Sequence, residues 1–380
     1  MVSLIMKILL AITELGAGGA EKIVAVLTRE YIRLGHAVTV LSLQGPPSGS
    51  PIPEMIRSAG AEIRYLGLRK TQPGMLKKIR EAVLKEAPDV VHAHLIHANL
   101  LLRIALRKCG IPLVNTIHIS ERRRGKKPFF LLDRWTFSLA DAVTAVSDAS
   151  ARFHERVCGL PSGSIRTIRN GSDPVIPAPE EELRAFRAEW DLDSFDAVLG
   201  SIGRLDFQKG YDLLLDRCGT LAGRIPAGQK WILLILGDGP ERERLLARTE
   251  RLKYPGLRIC FAGFRKDAAS LMTCFHVFLM PSRYEGYGLA LAEAMSLGLP
   301  VVCSDADSLP ELCARYKGFS KLIHMGSDPG GVKLAEAVSE ALRAPRVPGQ
   351  TLVTDREMAQ NYLSLYGEIL EKRRHCRVEE

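Results

Sequence analysis

The chain has 380 residues, of which 46% are hydrophobic and 25% charged, with a net charge of +9. At ~150 residues per domain this is enough for about two full cores, which excludes a disordered or fibrous chain. No apolar run approaches the ~20 residues that span a bilayer. Aromatics make up only 6% and do not interleave with the basic runs, so no nucleic-acid partner is expected.

The first half alternates β-rich runs with amphipathic ones. Strands are expected at 5–13, 36–43, 61–67, 89–94, 111–118, 141–147 and 165–170, with helices at 20–34, 74–87, 97–109 and 128–140. The run from Leu4 to Ile12 is short, contains Lys7 and leads into a Gly-rich turn. It reads as a first buried strand, not a signal peptide. Asp173 to Pro179 holds three prolines before an acidic helix start at Glu180, and reads as an interdomain linker. Beyond it, strands are expected at 197–203, 231–237, 257–263, 276–281, 300–304 and 320–324. Helices are expected near 211–225, 240–252, 267–273, 288–298 and 330–343, followed by a break at Ala344–Gly349 and an amphipathic helix over 354–372. The alternation predicts α/β domains built on parallel sheets covered on both faces, at 1–175 and 176–357, with 358–380 as a C-terminal helix.

The eight cysteines are scattered without a Cys-x-x-Cys, as small core residues in a reducing compartment would be, which points to the cytoplasm. Residues 1–175 hold 25 Lys/Arg against 14 Asp/Glu, a net +11, so the rest of the chain carries −2. That asymmetry points to an anionic partner for the first half, an anionic membrane surface above nucleic acid; a solvated basic face is the alternative.

The most informative stretch runs from Pro281 to Pro300. It reads strand, glycine loop, helix, strand. The helix N-terminus at the loop suits a phosphate, and Gly286 and Gly288 would let the backbone approach one closely. Glu285 and Glu293, eight positions apart, are acceptors suited to the hydroxyls of a ribose or a hexose. Phosphate and sugar hydroxyls together suggest a nucleotide sugar.

This segment resembles the Glu-x7-Glu motif of the retaining glycosyltransferases of family four, the glycosyl transferases group 1. The resemblance covers nearly the whole chain, through Gly18-Gly19-Ala20-Glu21, the run Pro88 to His94, Thr116-Ile117-His118, Val146-Ser147, Asn170-Gly171, Gly203-Arg204 through Lys209-Gly210, and Leu236-Gly237-Asp238-Gly239-Pro240. It implies the GT-B architecture: two Rossmann-like doubly wound domains facing a central cleft. The N-terminal domain would bind the acceptor and the C-terminal one the nucleotide sugar, with 358–380 crossing back to the first domain. The implied reaction is retaining transfer of a hexosyl unit from a nucleoside diphosphate sugar, UDP before GDP on family frequency, to an acceptor hydroxyl.

The resemblance also implies roles. Glu285, His118, Arg204 and Lys209 would form the catalytic set. Gly18, Gly19, Arg204, Lys209, Gly286, Tyr287, Gly288, Leu289 and Glu293 would bind the donor. Arg204 and Lys209 would hold the diphosphate, Glu293 the ribose, Glu285 and His118 the donor sugar. No cofactor and no metal are expected. His92, His94 and His97 look like a metal cluster by count, but no carboxylate or Cys completes a shell. Gly16 to Glu21 fails the dinucleotide fingerprint because position 21 is Glu. Many relatives read Gly-Gly-x-Pro-Glu where this chain has Asp307-Ser308-Leu309-Pro310-Glu311, so Glu311 is given no role.

Arg122, Arg123, Arg124, Lys126 and Lys127 precede Phe129, Phe130 and Trp135. Cations beside an aromatic, apolar helix suit an anionic lipid interface, with a lipid-linked or envelope-glycan acceptor and a peripheral place on the inner face of the membrane. An ordinary helix with its apolar face in the core is the alternative. Two other functions share these features: a sugar-nucleotide 2-epimerase, against which the Glu-x7-Glu signature argues, and a non-catalytic sugar-nucleotide-binding protein.

Overall fold

The structure, a computed structural model, describes residues 5–69, 72–120, 122 and 127–378. The chain divides into two compact units, Met1–Gly171 with Val353–Glu380, and Ser172–Leu352. The boundaries read from the sequence after 175 and 357 therefore fall a few residues late. The Pro-rich segment from Asp173 is irregular, because each proline removes a backbone donor and fixes its own φ.

The first unit runs β1 (Lys7–Ile12), α1 (Gly19–Arg33), β2 (Ala37–Ser42), α2 (Ile52–Ser58), β3 (Glu62–Tyr65), α3 (Met75–Glu86), β4 (Val90–His94), α4 (Ile96–Ala105), β5 (Leu113–Ile117), α5 (Lys127–Thr136), β6 (Ala142–Ala145), α6 (Asp148–Cys158) and β7 (Arg166–Thr167). The sheet order is β3-β2-β1-β4-β5-β6-β7, all parallel. Helices on both faces bury β4 and β5 along their whole length, which is why these strands read as continuous runs rather than alternating ones. Helices α2 and α6 fill two further intervals between the strands. Ser147 starts α6, its Oγ accepting from the Ser150 N–H at 3.1 Å.

The second unit repeats the plan. It runs α7 (Glu180–Trp190), β8 (Ala197–Ile202), α8 (Tyr211–Ala222), β9 (Trp231–Leu236), α9 (Arg242–Thr249), β10 (Leu257–Gly263), α10 (Ala268–Leu271), β11 (Val277–Met280), α11 (Leu289–Ser296), β12 (Val301–Ser304), α12 (Leu309–Cys313), β13 (Ser320–Ile323) and α13 (Val332–Arg343). The parallel sheet order is β10-β9-β8-β11-β12-β13. Its core packs β9, Trp-Ile-Leu-Leu-Ile-Leu and buried throughout, against α8 and α13. In each sheet the first strand lies beside the fourth, where the winding reverses. Ligands of such sheets bind outside the carboxyl ends of the strands at that point.

The last helix, α14 (Asp355–Val378), belongs with the first unit. Asp355 pairs with Arg29 of α1 at 2.6 Å, and Arg373 makes a two-pronged pair with Asp141 at 2.7 and 2.8 Å. Met358, Leu365 and Ile369 are buried, each contributing ~1.5–3 kcal/mol. Gly171 permits this docking, since a Cβ there would stand 2.5 Å from Asp355 Cα. Among the described residues no helix is long and apolar enough to cross a membrane.

Candidate active site

In the second unit, two loops at the carboxyl edge of adjacent strands come together. After β8 the chain passes Gly203 and Arg204. Asp206 then caps a short 3-10 turn, Phe207–Lys209, by accepting from the Lys209 N–H at 3.3 Å. Gly210 follows with φ +68, and a Cβ there would collide with the Pro281 carbonyl, so the turn presses on the loop after β11. Arg283 ties the two loops. Its guanidinium forks onto Asp212 at 2.7 Å twice, donates to the Phe207 carbonyl at 2.9 Å and lies 4.1 Å over the Phe207 ring. It also holds Asp212 below the usual carboxylate range, against the burial that opposes this.

This frame brings Lys209 to Glu285, with Nζ 2.5 Å from Oε1. Ser282 donates to the same oxygen at 2.8 Å. Glu285 is buried, and its backbone N–H donates to Asp307 Oδ2 at 3.0 Å. Asp307 takes the left-handed conformation, φ +43. It takes a backbone shape that glycine adopts more readily and adds a carboxylate that accepts from the Glu285 backbone. Asp and Asn tolerate this region better than other residues with a side chain.

Arg204 follows β8 on the same edge. Its side chain is 65% exposed, and its Nε is 3.8 Å from Asp206 Oδ2, too loose to hold it. Gly286 and Tyr287 are buried, and Gly288 caps α11 with φ +92; a Cβ there would meet Leu309 Cδ2 at 2.7 Å. Leu289 opens α11, whose first N–H groups have no partner within the helix and suit an anion. Glu293 is buried one turn further on. A cation pair, a buried carboxylate and a helix N-terminus on one edge can hold a diphosphate and a polyol together.

In the first unit, Gly18 precedes α1 and Gly19 is its first residue; a Cβ on Gly18 would collide with the Glu21 carboxylate. At the ends of β4 and β5 the histidines form a buried cluster. His94 Nδ1 lies 2.9 Å from His118 Nε2, and the His92 ring stacks on His94 with centroids 4.0 Å apart. His92 Nε2 meets Thr116 Oγ1 at 2.6 Å, and its Nδ1 meets Tyr366 of α14 at 2.6 Å. Burial pushes His92 and His94 well below the usual imidazole range, and His118 to about 3. His118 is partly exposed at the strand end, which moderates that burial, but it is neutral at pH 7. His97 instead stands edge-on to Phe129 at 5.3 Å.

Helix α5 turns Asp133 and Thr136 inward. Asp133 is buried against Arg103 and, at 2.5 Å, His154 Nε2. Asp133, His154 and Cys158 are the described residues whose ligand atoms gather within 4.8 Å, but Arg103 and His154 already satisfy that carboxylate. Phe129 and Phe130 are half-buried where α5 lies over α4 and α6, Phe129 beside His97 and Phe130 beside Phe153 and His154. The outward apolar residues are Leu131, Leu132 and Trp135, the last 75% exposed. Arg122 is exposed; Arg123, Arg124, Lys126 and the Lys127 side chain lie outside the described residues.

Sequence reasoning missed Ser282, Arg283, Asp307, Tyr362 and Tyr366. The positions of Ser282 and Arg283, inside the motif segment, were the available signal.

Two family models match the chain, Glycosyltransferase Family 4 over residues 17–175 and Glycosyl transferases group 1 over residues 196–343. The chain is similar to the lipopolysaccharide core biosynthesis mannosyltransferase LpsB of Rhizobium meliloti, 28% identical over 295 residues, 73% of this chain and 76% of that protein. It is also similar to D-inositol 3-phosphate glycosyltransferase 2 of Catenulispora acidiphila, 26% identical over 361 residues, 87% and 83% of the two chains. Among solved structures, Anabaena Alr3699/HepE in complex with UDP-glucose matches with a TM-score of 0.74 at 22% identity, over 99% of this chain and 100% of that one.

Proposed function

The chain belongs to the group 1 glycosyltransferases and has the GT-B fold, and from that membership we propose that it moves a hexosyl unit from a nucleoside diphosphate sugar to an acceptor hydroxyl with retention of anomeric configuration. The observation that carries this reading is the Lys209–Glu285 pair, a cation and a buried carboxylate side by side at the carboxyl edge of the second sheet. In this reading the donor's diphosphate takes Lys209 and Arg204 and the N-terminus of α11. Glu293 accepts from the ribose hydroxyls, while Glu285 and His118 contact the sugar. Gly18 and Gly19 admit the phosphates, and Gly286 to Leu289 offer backbone N–H groups.

The bond from the anomeric carbon to the β-phosphate oxygen breaks, and its electron pair stays on the phosphate. The acceptor oxygen bonds to that carbon from the same face, and its proton passes to the departing phosphate oxygen. Fixed cations stabilise the charge that develops there. Arg204, Lys209 and the helix terminus supply what a metal ion would, so no metal requirement is part of the proposal.

The UDP-glucose complex of HepE supports a UDP-sugar as donor. The role of LpsB in lipopolysaccharide core synthesis and the outward Leu131 and Trp135 support a lipid-linked or envelope-glycan acceptor reached at an anionic membrane surface. The test is a thermal-shift screen of nucleotide sugars, followed by release of nucleoside diphosphate with and without candidate acceptors. Acceptor-dependent release is expected. Binding without release would make the chain a sugar-nucleotide-binding protein, and an epimerised sugar would make it a 2-epimerase.

A further inference from the structure

The buried polar groups beneath His118 can be oriented by asking which arrangement leaves no donor stranded. Tyr31 lies 3.0 Å from Tyr366, and Tyr366 lies 2.6 Å from His92 Nδ1. Thr116 Oγ1 meets His92 Nε2 at 2.6 Å, Thr144 Oγ1 at 2.7 Å and Tyr362 OH at 3.1 Å, and Thr144 donates to the Asn115 carbonyl at 3.3 Å. One assignment satisfies every proton. Tyr31 donates to Tyr366, and Tyr366 to His92 Nδ1. His92 Nε2–H and Tyr362 donate to Thr116, Thr116 donates to Thr144, and Thr144 to the carbonyl. Reversing the His92 tautomer would strand the Tyr31 hydroxyl proton, since Tyr31 is fully buried and its described partner is Tyr366. The two α14 tyrosines thus fix His92, and His92 stacks on His94.

The same reasoning reaches His118. Among the described residues, Nε2 of His94 is buried with no hydrogen-bond partner. If His118 Nε2–H donated to His94 Nδ1, the His94 proton would sit on that unpartnered nitrogen. A buried N–H without an acceptor is costlier and rarer than a bare acceptor. His94 therefore donates from Nδ1 to His118 Nε2, and the His118 proton sits on Nδ1.

We propose that His94 is a positioning residue that clamps His118 as the Nδ1–H tautomer, so that His118 meets its substrate only as a hydrogen-bond donor. The single lone pair of the His118 ring faces the His94 proton and cannot take another. A neutral His118 then stabilises a donor-sugar oxygen and takes no proton from the acceptor. This rests on the reading of His118 at the donor sugar.

The test is long-range 1H–15N NMR of the full chain labelled at histidine nitrogens, with His118 assigned from the His118→Asn spectrum. The wild type should show Nδ1–H at His118. In His94→Leu that tautomer should give way to a mixture or to Nε2–H, with kcat down about tenfold, the worth of one hydrogen bond, and KM nearly unchanged. His94→Asn, whose amide can replace the Nδ1–H donor, should recover both. Nε2–H in the wild type, or Nδ1–H surviving in His94→Leu, would overturn the clamp. If the tautomers behave as stated but His118→Ala turns over normally, the clamp stands and the placement of His118 at the sugar fails. Should His94→Leu not fold, the wild-type spectrum and His94→Asn still decide.

Discussion

Lys209 Nζ and Glu285 Oε1 are 2.5 Å apart, with the lysine side chain 18% and the glutamate 6% exposed. Both charges are largely out of water, and the second hydrogen bond from Ser282 helps offset that cost. The pair links two loops 76 residues apart. A diphosphate that drew Lys209 onto itself would free Glu285 to accept from a sugar hydroxyl, so each side chain has a partner in both situations.

Lys209→Ala and Arg204→Ala should both lose turnover, about 2.7–4 kcal/mol of transition-state stabilisation for each contact to developing charge. Their stabilities should differ. Lys209→Ala strands a buried carboxylate and should cost up to about 3 kcal/mol, whereas the exposed Arg204 should change stability by less than about 0.5 kcal/mol. Steady-state kinetics and urea unfolding read the two effects. Normal turnover in both variants would remove these residues from the site.

Asp307→Ala should destabilise the loop after β11 by about 1–3 kcal/mol, since the Glu285 N–H loses its acceptor and alanine is strained at φ +43. Asp307→Asn keeps an acceptor and the backbone shape and should be close to wild type. Asp307→Gly keeps the shape alone and should fall between. Urea midpoints out of that order would contradict the account of why an aspartate stands there.

Glu293→Ala should chiefly raise KM, and Glu285→Ala should chiefly lower kcat. A contact made equally before and during reaction appears in KM, and one made mainly in the transition state appears in kcat. Nucleotide affinity by calorimetry should fall in the first variant and hold in the second. The opposite pattern would exchange their roles.

Anionic vesicles should bind the chain, less tightly as salt rises. Each cation near such a surface contributes ~1 kcal/mol, screened beyond ~10 Å at 0.1 M salt. Changing Arg122, Arg123, Arg124, Lys126 and Lys127 to Glu should abolish sedimentation with vesicles. Trp135→Ala with Leu131→Ala should remove the salt-resistant part, and the half-buried Phe129 and Phe130 should contribute less to it. No binding at low salt would favour a soluble acceptor.

Much of this organisation is legible in one sequence because strands covered on both faces are unbroken apolar runs. Leu257 to Gly263 is read to the residue, and β1, β9 and α11 to within a residue or two. Helices without a long apolar period are harder to read, as α2 and α6 show; α6 carries a Ser cap and a terminal Gly159 but a mostly polar face. The site divides in the same way. Glu285, Glu293, Arg204 and Lys209 stand out by local spacing and resemblance. That Lys209 would meet Glu285, or that Asp307 would hold the Glu285 backbone, depends on how loops of different strands pack. Tyr362 and Tyr366 read only as one face of an amphipathic helix, and nothing local joins them to His92.

The proposed reaction is a retaining transfer carried by the protein's own charges. The direct measurement is 1H NMR of the first product formed from a UDP-hexose and an acceptor in the presence of EDTA, read at the anomeric proton before any mutarotation. Acceptor-dependent formation of a glycoside with the donor's anomeric configuration is expected, at a rate unchanged by the chelator. An inverted product, or a reaction that stops with EDTA and returns with Mn²⁺ or Mg²⁺, would contradict it.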